Sequence, residues 1–413
     1  MGRNGDVVTT QAALQNHCHK RYDPYMRVLV LGAGRMGKAA AWDLGRQPGV
    51  DVLGLADRDP GVVQGAADET TALLAKTRRK GETPKLQTEV YDLDSGRGLV
   101  GLLEPWDVVL SSADYKYNEA LTRAAIEAKT HLCDLGGNLF VVEKQLAMSK
   151  DAERAGITVV PDCGLAPGMA CLLAAWGVDR MDSTDSVRIR VGGLPAHPKP
   201  PLNYKLVFNP RGLTNEYLEP AEALRDGNIV RTKSLTEPET LEFPYPFGTL
   251  EAFNTSGGAS TLPRTLKNRV RNLDYKTIRY PGHMAIFAGL HAIGLMSETP
   301  VDGVVPRVFT EQLLERALTD DDTDVVLVRV SVDGKKAGKK TRLVFEVIDR
   351  HEPKTGHSAM ARTTSYPAAA VAYMLGAGAV EKRGVLPGEL AVPLDAFVQA
   401  IRARGIDVRE RWE

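Results

Sequence analysis

From Arg27 to Cys163, short runs of Val, Leu, Ile and Ala alternate with longer segments in which apolar residues recur at helical spacing. A strand that is apolar at successive positions is covered on both faces, so the alternation predicts a parallel sheet wrapped by helices, the doubly wound α/β class. Strands are expected at 27–31, 52–56, 85–90, 107–111, 131–135 and 157–161. Asp59-Pro60 reads as an N-cap followed by proline at the first helical position, and Glu119 to Ala128 as an amphipathic helix. After Pro167-Gly168 the alternation stops, prolines cluster at Pro195, Pro198, Pro200 and Pro201, and a second domain begins. Its late part holds two β-branched runs, Asp324 to Val332 and Thr341 to Ile348, joined by a Gly/Lys turn, the pattern of an antiparallel hairpin. Ala361 to Gly376 reads as a buried helix, and the tail from Val385 to Trp412 is expected to return to the first domain.

The first strand runs into Gly32-Ala33-Gly34-Arg35-Met36-Gly37, and 20 positions after Gly37 the second strand ends in Asp57-Arg58. That spacing is a dinucleotide-binding fingerprint. The first glycine permits the tight turn, the second lets backbone approach a pyrophosphate, and the third lets the helix pack on the strand. The helix N-terminus then faces the phosphates, while the acid reaches the ribose. Asp57 favours NAD; Arg58 beside it keeps NADP as the alternative.

At 413 residues two domains of roughly 150 to 200 residues are expected. Zero formal net charge indicates neither nucleic acid nor an anionic membrane as partner. The apolar run from Ala368 to Val380 is shorter than the roughly 20 residues of a membrane span. Cys18, Cys133, Cys163 and Cys171 form no CxxC pair, which fits a reducing, cytoplasmic setting. Residues 1–25 lack a secretory h-region, and Met26 falls directly before the first strand, so they are expected to be a disordered leader. His17-Cys18-His19 lacks a fourth ligand, and no metal site is expected. The Lys335-Lys336 and Lys339-Lys340 cluster, with no interleaved aromatics, reads as a solvated hairpin tip.

Ligands of open parallel sheets lie beyond the carboxyl ends of the strands. The loops opened by Ser111-Ser112-Ala113-Asp114-Tyr115, by Asp134-Leu135-Gly136-Gly137 and by Asp162-Cys163-Gly164-Leu165 are therefore expected around the cofactor, with Ser111, Ser112, Gly164 and Leu165 against it. For each polar residue alone, turn formation or helix capping is the competing role. In the second domain, the hydroxyls and amides of Thr255-Ser256-Gly257-Gly258 can cradle a carboxylate, Arg279 can hold one bidentately, and His283 can exchange protons.

The glycine fingerprint, Asp162 to Gly168, Val191-Gly192-Gly193-Leu194-Pro195 and Tyr275 to His283 together resemble the saccharopine dehydrogenase-like family, from Met26 to about Arg404. Within it, Pro201-Leu202-Asn203-Tyr204, Leu250 to Leu262 and Ala359 to Thr364 are most similar to lysine 6-dehydrogenases. The resemblance implies a Rossmann-type sheet (26–165, completed by 360–413) interrupted by an α+β substrate domain with a mixed sheet (166–359). It also implies a homodimer or higher homo-oligomer, a nicotinamide cofactor, and oxidation of an amine carbon. It places the family's active-site tyrosine at Tyr115 and a substrate contact at Tyr204. Saccharopine-cleaving members are expected to carry an Asn-Arg-Asp-Ser type sequence where this chain has Thr255 to Gly258, a departure that argues against saccharopine. The expected reaction is NAD-dependent oxidative deamination of the ε-amine of L-lysine, with Tyr115, Asp134 and His283 as candidate proton-handling groups. The alternatives are a saccharopine or related opine dehydrogenase and a catalytically silent NAD-binding sensor.

Overall fold

The computed structural model describes residues 25–77, 82–319 and 322–413, so the expected leader, apart from Tyr25, and its His17-Cys18-His19 lie outside the described residues. Six parallel strands come from the first part of the chain: β1 (Met26–Leu31), β2 (Val50–Asp57), β3 (Lys85–Val90), β4 (Val108–Ser111), β5 (His131–Asp134) and β6 (Thr158–Val160). Val28, Leu29, Val30, Leu53, Leu55, Val109 and Leu110 are wholly buried, as a sheet covered on both faces requires. The spatial order β6-β5-β4-β1-β2-β3 reverses between β1 and β4, which opens a crevice at their carboxyl ends. The glycine loop after β1 and the Ser112–Tyr115 loop after β4 are its two lips.

The chain then builds a second sheet from β7 (Ser183–Pro195), β8 (Ala221–Arg225), β9 (Asn228–Thr232), β10 (Glu239–Phe243), β11 (Gly248–Asn254), β12 (Val270–Arg279), β13 (Asp324–Lys336) and β14 (Lys339–Arg350). β7 and β12 are parallel and their other neighbours antiparallel, so the sheet is mixed. The expected hairpin is present as β13 and β14, with lysines 335, 336, 339 and 340 exposed at its tip.

The helix Ala359–Gly376 brings the chain back onto the helix Arg35–Gly45 that follows β1, where Ser365 Oγ donates to the carbonyl of Met36 at 2.8 Å. β15 (Gly384–Val385) then adds a parallel edge to β6. Arg404 closes the return, donating from Nε to fully buried Asp43 at 2.7 Å, with Arg46 on the other carboxylate oxygen at 2.7 Å. The tail does not stay there: β16 (Arg409–Trp412) pairs with β14 of the second sheet. Its Arg-Glu-Arg-Trp sequence is exposed and lacks a buried alternate face, and Arg180 holds Glu410 at 2.9 Å. An edge strand of that kind carries no apolar period for sequence reading to find. Among the described residues no helix is long and apolar enough to cross a membrane, no group of ligating side chains could hold a metal, and the three described cysteines are buried and free.

Candidate active site

The glycine loop meets the geometric demands of a dinucleotide. Gly32 turns with φ +87°, in the left-handed region where a side chain is strained. A Cβ on Gly37 would stand 1.8 Å from the Gly32 carbonyl oxygen, whereas a Cβ on Gly34 would meet nothing within 4 Å. The loop is braced from below: Ser112 Oγ donates to the carbonyls of Gly32 (2.6 Å) and Leu31 (3.0 Å), and Asp57 Oδ2 accepts from Ala33 N–H at 2.8 Å. The open face over Gly34, at the start of the helix Arg35–Gly45, has the space and the unpaired N–H groups for a pyrophosphate. Arg35 and Arg58 are exposed beside it and Met36 is half-buried. Gly34→Ala is therefore expected to keep wild-type stability within about 0.5 kcal/mol but to weaken cofactor binding at least about tenfold. Gly37→Ala should overlap backbone and cost about 1–3 kcal/mol or more. Melting curves and cofactor titrations of the two variants separate the roles.

One continuous cavity runs from this loop across the Rossmann strand ends to the second sheet. Gly34 to Gly37, Ser112, Tyr115, Gly164, Leu165, Asn215, Glu216, Gly257, Tyr275, Thr277 and Arg279 all contribute to its wall. Ser111, expected against the cofactor, is instead fully buried in β4: strand alternation turns Ser112 to the crevice and Ser111 away.

Arg279, the last residue of β12, is the buried cation of the far wall, 2% exposed. Its Nε donates to Tyr217 Oη at 3.0 Å and its Nη1 to the carbonyl of Ile278 at 2.9 Å. Its guanidinium stacks over Tyr204, 4.7 Å from the ring centre. Nη2 faces Glu216 Oε2 at 3.9 Å. Burial pushes the Glu216 carboxyl up to about 7, Arg279 pulling the other way. Tyr204, expected to touch substrate, lies beneath the guanidinium, and burial pushes its phenol up to about 12.

His283 is not on the cavity. It is buried behind Tyr217, with Nε2 2.9 Å from Tyr217 Oη and Nδ1 3.2 Å from the carbonyl of Leu202. Burial, and then the Arg279 charge, push its pKa down to about 3. The ring is therefore neutral: Nδ1–H donates to Leu202, Nε2 accepts from Tyr217, and Tyr217 accepts from Arg279. This geometry links His283 to the guanidinium through Tyr217 and keeps it off the cavity wall.

Asp134 is also off the cavity wall. It is fully buried at the end of β5, where Oδ1 accepts from the N–H groups of Gly136 (2.8 Å) and Asp162 (3.2 Å) and Oδ2 from Gln145 (2.8 Å). Burial lifts its carboxyl to about 6, and its contacts tie the turn after β5 to Gln145 and to the loop at Asp162. Asp162, at φ +60°, accepts from Ser260 Oγ and from Gly137 N–H (3.3 Å), joining the Rossmann turn to the second domain.

The Thr255–Gly258 loop likewise braces more than it presents. Thr255 Oγ1 pairs with Thr277 Oγ1 at 2.7 Å, Ser256 Oγ donates to the Asn215 carbonyl at 3.2 Å, and Ser256 N–H to that of Glu216 at 2.9 Å. Gly257 reaches the cavity with φ +84°. Gly258 underlies Tyr275, where a Cβ would come within 2.1 Å of the ring. Tyr115 does face the cavity, accepting from Asn215 Nδ2 at 2.7 Å. Burial, then Glu219 and Asp114, raise its phenol above the ordinary value of 10.0.

Sequence reasoning missed the helix Pro210–Leu218, which brings Arg211, Gly212, Asn215 and Glu216 to the wall. Gly212, Asn215 and Glu216 stand at i, i+3, i+4, and Asn209-Pro210 is a cap-and-proline helix start, so both signals were present.

Residues 28–160 match the family model described as the saccharopine dehydrogenase NADP binding domain, and residues 164–406 match the saccharopine dehydrogenase C-terminal domain. The mitochondrial alpha-aminoadipic semialdehyde synthase of Rattus norvegicus is 25% identical over 234 residues, 52% of this chain, which spans only 25% of that protein's length. Carboxynorspermidine synthase of Vibrio alginolyticus is 24% identical over 420 residues, covering 92% of this chain and 96% of its own. The apo saccharopine dehydrogenase (L-Glu forming) from Saccharomyces cerevisiae shares the fold, with a TM-score of 0.71 at 19% identity over 94% of this chain and 100% of that one.

Proposed function

The chain belongs to the saccharopine dehydrogenase family, and from that premise we propose that it is a nicotinamide-dependent oxidoreductase of the lysine 6-dehydrogenase type. The reaction oxidises the ε-amine carbon of L-lysine to an imine, which water converts to 2-aminoadipate 6-semialdehyde and ammonia; the aldehyde then cyclises onto its own α-amine. The observation that carries this reading is the cavity itself, which starts at the dinucleotide loop and ends at one buried guanidinium, Arg279, on the opposite domain. The cofactor, when bound, supplies the hydride acceptor. Arg279 grips the distant carboxylate, and Gly136, Gly137, Gly164 and Leu165 shape the floor on which the reacting carbon lies. Tyr115 accepts from Asn215, so its own hydroxyl proton is free to point at the amine or the attacking water.

A second reading, a saccharopine or related opine-type dehydrogenase, is favoured by two observations. The Vibrio synthase aligns along almost the whole chain, and Arg211 stands on the cavity wall as a further cation, though Glu298 and Glu311 already engage it. Reduction of NAD and NADP followed by absorbance with lysine, ornithine, saccharopine and glutamate tests both. Brisk reduction with saccharopine and none with lysine would overturn the first reading; cofactor binding without turnover on any substrate would leave the sensor.

NAD is the proposed cofactor because Asp57 stands at the end of β2 where a ribose 2′-phosphate would meet its charge. Asp57→Ser is expected to raise the NADP-to-NAD ratio of kcat/KM about tenfold or more, and a wild-type preference for NADP would defeat the assignment. A cytoplasmic homodimer, or higher homo-oligomer, belongs to the same proposal. It is supported by the apolar helix His283–Ala292 and its neighbours, where Ile293 (75%), Val301 (61%) and Phe309 (50%) stand exposed. Light scattering should give at least twice the chain mass, and Ile293→Asp with Phe309→Asp should lower it.

A further inference from the structure

The Arg279–Glu216 pair is built unlike a structural ion pair. The guanidinium is 3% exposed, yet Nη2 approaches the Glu216 carboxylate only to 3.9 Å, and among the described residues neither Nη2 nor that carboxylate makes a hydrogen bond. Pairs with both partners buried close fully: Arg404 reaches Asp43 at 2.7 Å and Arg362 reaches Asp349 at 2.8 Å, and the similarly open contact of Arg362 with Glu352, at 3.9 Å, belongs to a guanidinium already closed on Asp349, which Arg279 has no equivalent of. Taking the Arg279 charge out of water is costly, and the cost is repaid only by good geometry and satisfied donors. Here each partner has its own supports. Tyr217 and the Ile278 carbonyl fix Arg279 from one side, and the backbone carbonyls of Asn215 and Glu216 are tied to Ser256 from the other. Both residues line the same cavity, and the Glu216 side chain is 28% exposed.

A positive and a negative group, adjacent, unfilled and fixed from behind, complement a ligand that carries a carboxylate and an ammonium on neighbouring atoms. We infer that Glu216 is a specificity-determining residue that binds the α-ammonium of an α-amino acid whose α-carboxylate is held by Arg279. The two residues together read a zwitterionic head group. Simple amines, which lack the carboxylate, and ω-amino acids, which lack the α-ammonium, each lose one half of the clamp. Burial that lifts the Glu216 carboxyl to about 7 in the empty cavity fits this role, since an arriving ammonium supplies the partner that Arg279 alone does not.

The inference rests on Arg279 as carboxylate grip but not on which carbon is oxidised, so its test uses ligands that cannot react at an ε-amine. Calorimetric titration of the NAD-loaded protein with L-norleucine and with hexanoate compares the head group with and without its ammonium on the same chain length. L-norleucine is expected to bind at least tenfold more tightly. Glu216→Gln should remove that gap by weakening norleucine alone, and Arg279→Ala should weaken both ligands. Equal affinities in the wild type, or a gap that survives Glu216→Gln, would overturn the inference. Equal wild-type affinities overturn the inference whatever the variants do, and if Glu216→Gln fails to fold, Glu216→Asp carries the test: the shorter arm should narrow the gap without weakening hexanoate, and an unchanged gap would overturn the inference. Norleucine selectivity in a protein that does not oxidise lysine would reject the lysine reading and keep the clamp.

Discussion

Arg279→Ala is expected to lower kcat/KM for lysine by about two to four decades, the equivalent of the roughly 2–5 kcal/mol of binding lost when a buried charge is removed from the ligand group it holds. The size of the effect follows from the supports rather than the charge alone. The substitution leaves Glu216 without its counter-charge, Tyr217 Oη without a donor at 3.0 Å, and Tyr204 without the cation stacked 4.7 Å above it. Arg279→Lys should recover little, because the three donors of an ammonium sit on one atom and cannot span the separate positions that Nε and Nη1 reach at Tyr217 and the Ile278 carbonyl while a further edge faces the cavity. His283→Phe tests the same chain one link back: it removes the acceptor that fixes Tyr217 and should raise KM more than it lowers kcat. Steady-state kinetics on variants whose melting midpoints have been checked read these effects, and an Arg279→Ala enzyme within threefold of wild type would show that the carboxylate sits elsewhere.

The elements legible in the sequence were those with a period or a positional chemistry. The buried strands β1, β2 and β4 announce themselves as unbroken apolar runs, and Gly32, Gly34 and Gly37 stand apart because each meets a different steric demand. What the sequence could not show is direction and depth. Ser111 and Ser112 are neighbours of one type, and only the pleat decides that one is buried and the other braces the glycine loop. Asp134 and His283 have the right chemistry for proton transfer, but the folded chain spends their hydrogen bonds on a turn and on Tyr217. Glu216 is the reverse case. Its helix is ordinary in composition, and its significance arises from Arg279, 63 positions later at the end of β12.

With lysine and NAD, kcat/KM is expected to rise about tenfold per pH unit between pH 7 and 9, because only the neutral amine can expel hydride and the ammonium titrates near 10.4. At pH 7 that deprotonation costs roughly 4.6 kcal/mol, the equivalent of 3.4 units. Three side chains were candidates to relieve it. His283 is held neutral at about 3 with both nitrogens engaged; Asp134 sits off the cavity with both oxygens accepting; and the phenol of Tyr115 is raised above 10.0, so it stays protonated across the range. Glu216, also on the wall, stands at the head-group end and ionises near 7. Its folded pKa lies above the ordinary 4.5, so it is neutral, and a poor partner for an α-ammonium, on the acid side of 7. The profile should therefore steepen toward two decades per unit below pH 7 and relax to one above it, and Glu216→Gln should abolish the steep limb while leaving the alkaline one. Tyr115→Phe should lower kcat without moving either limb, since it removes a hydroxyl that orients rather than one that titrates. A plateau already reached at pH 8 would show that a group on the wall takes the amine proton, and would put Tyr115 back among the bases.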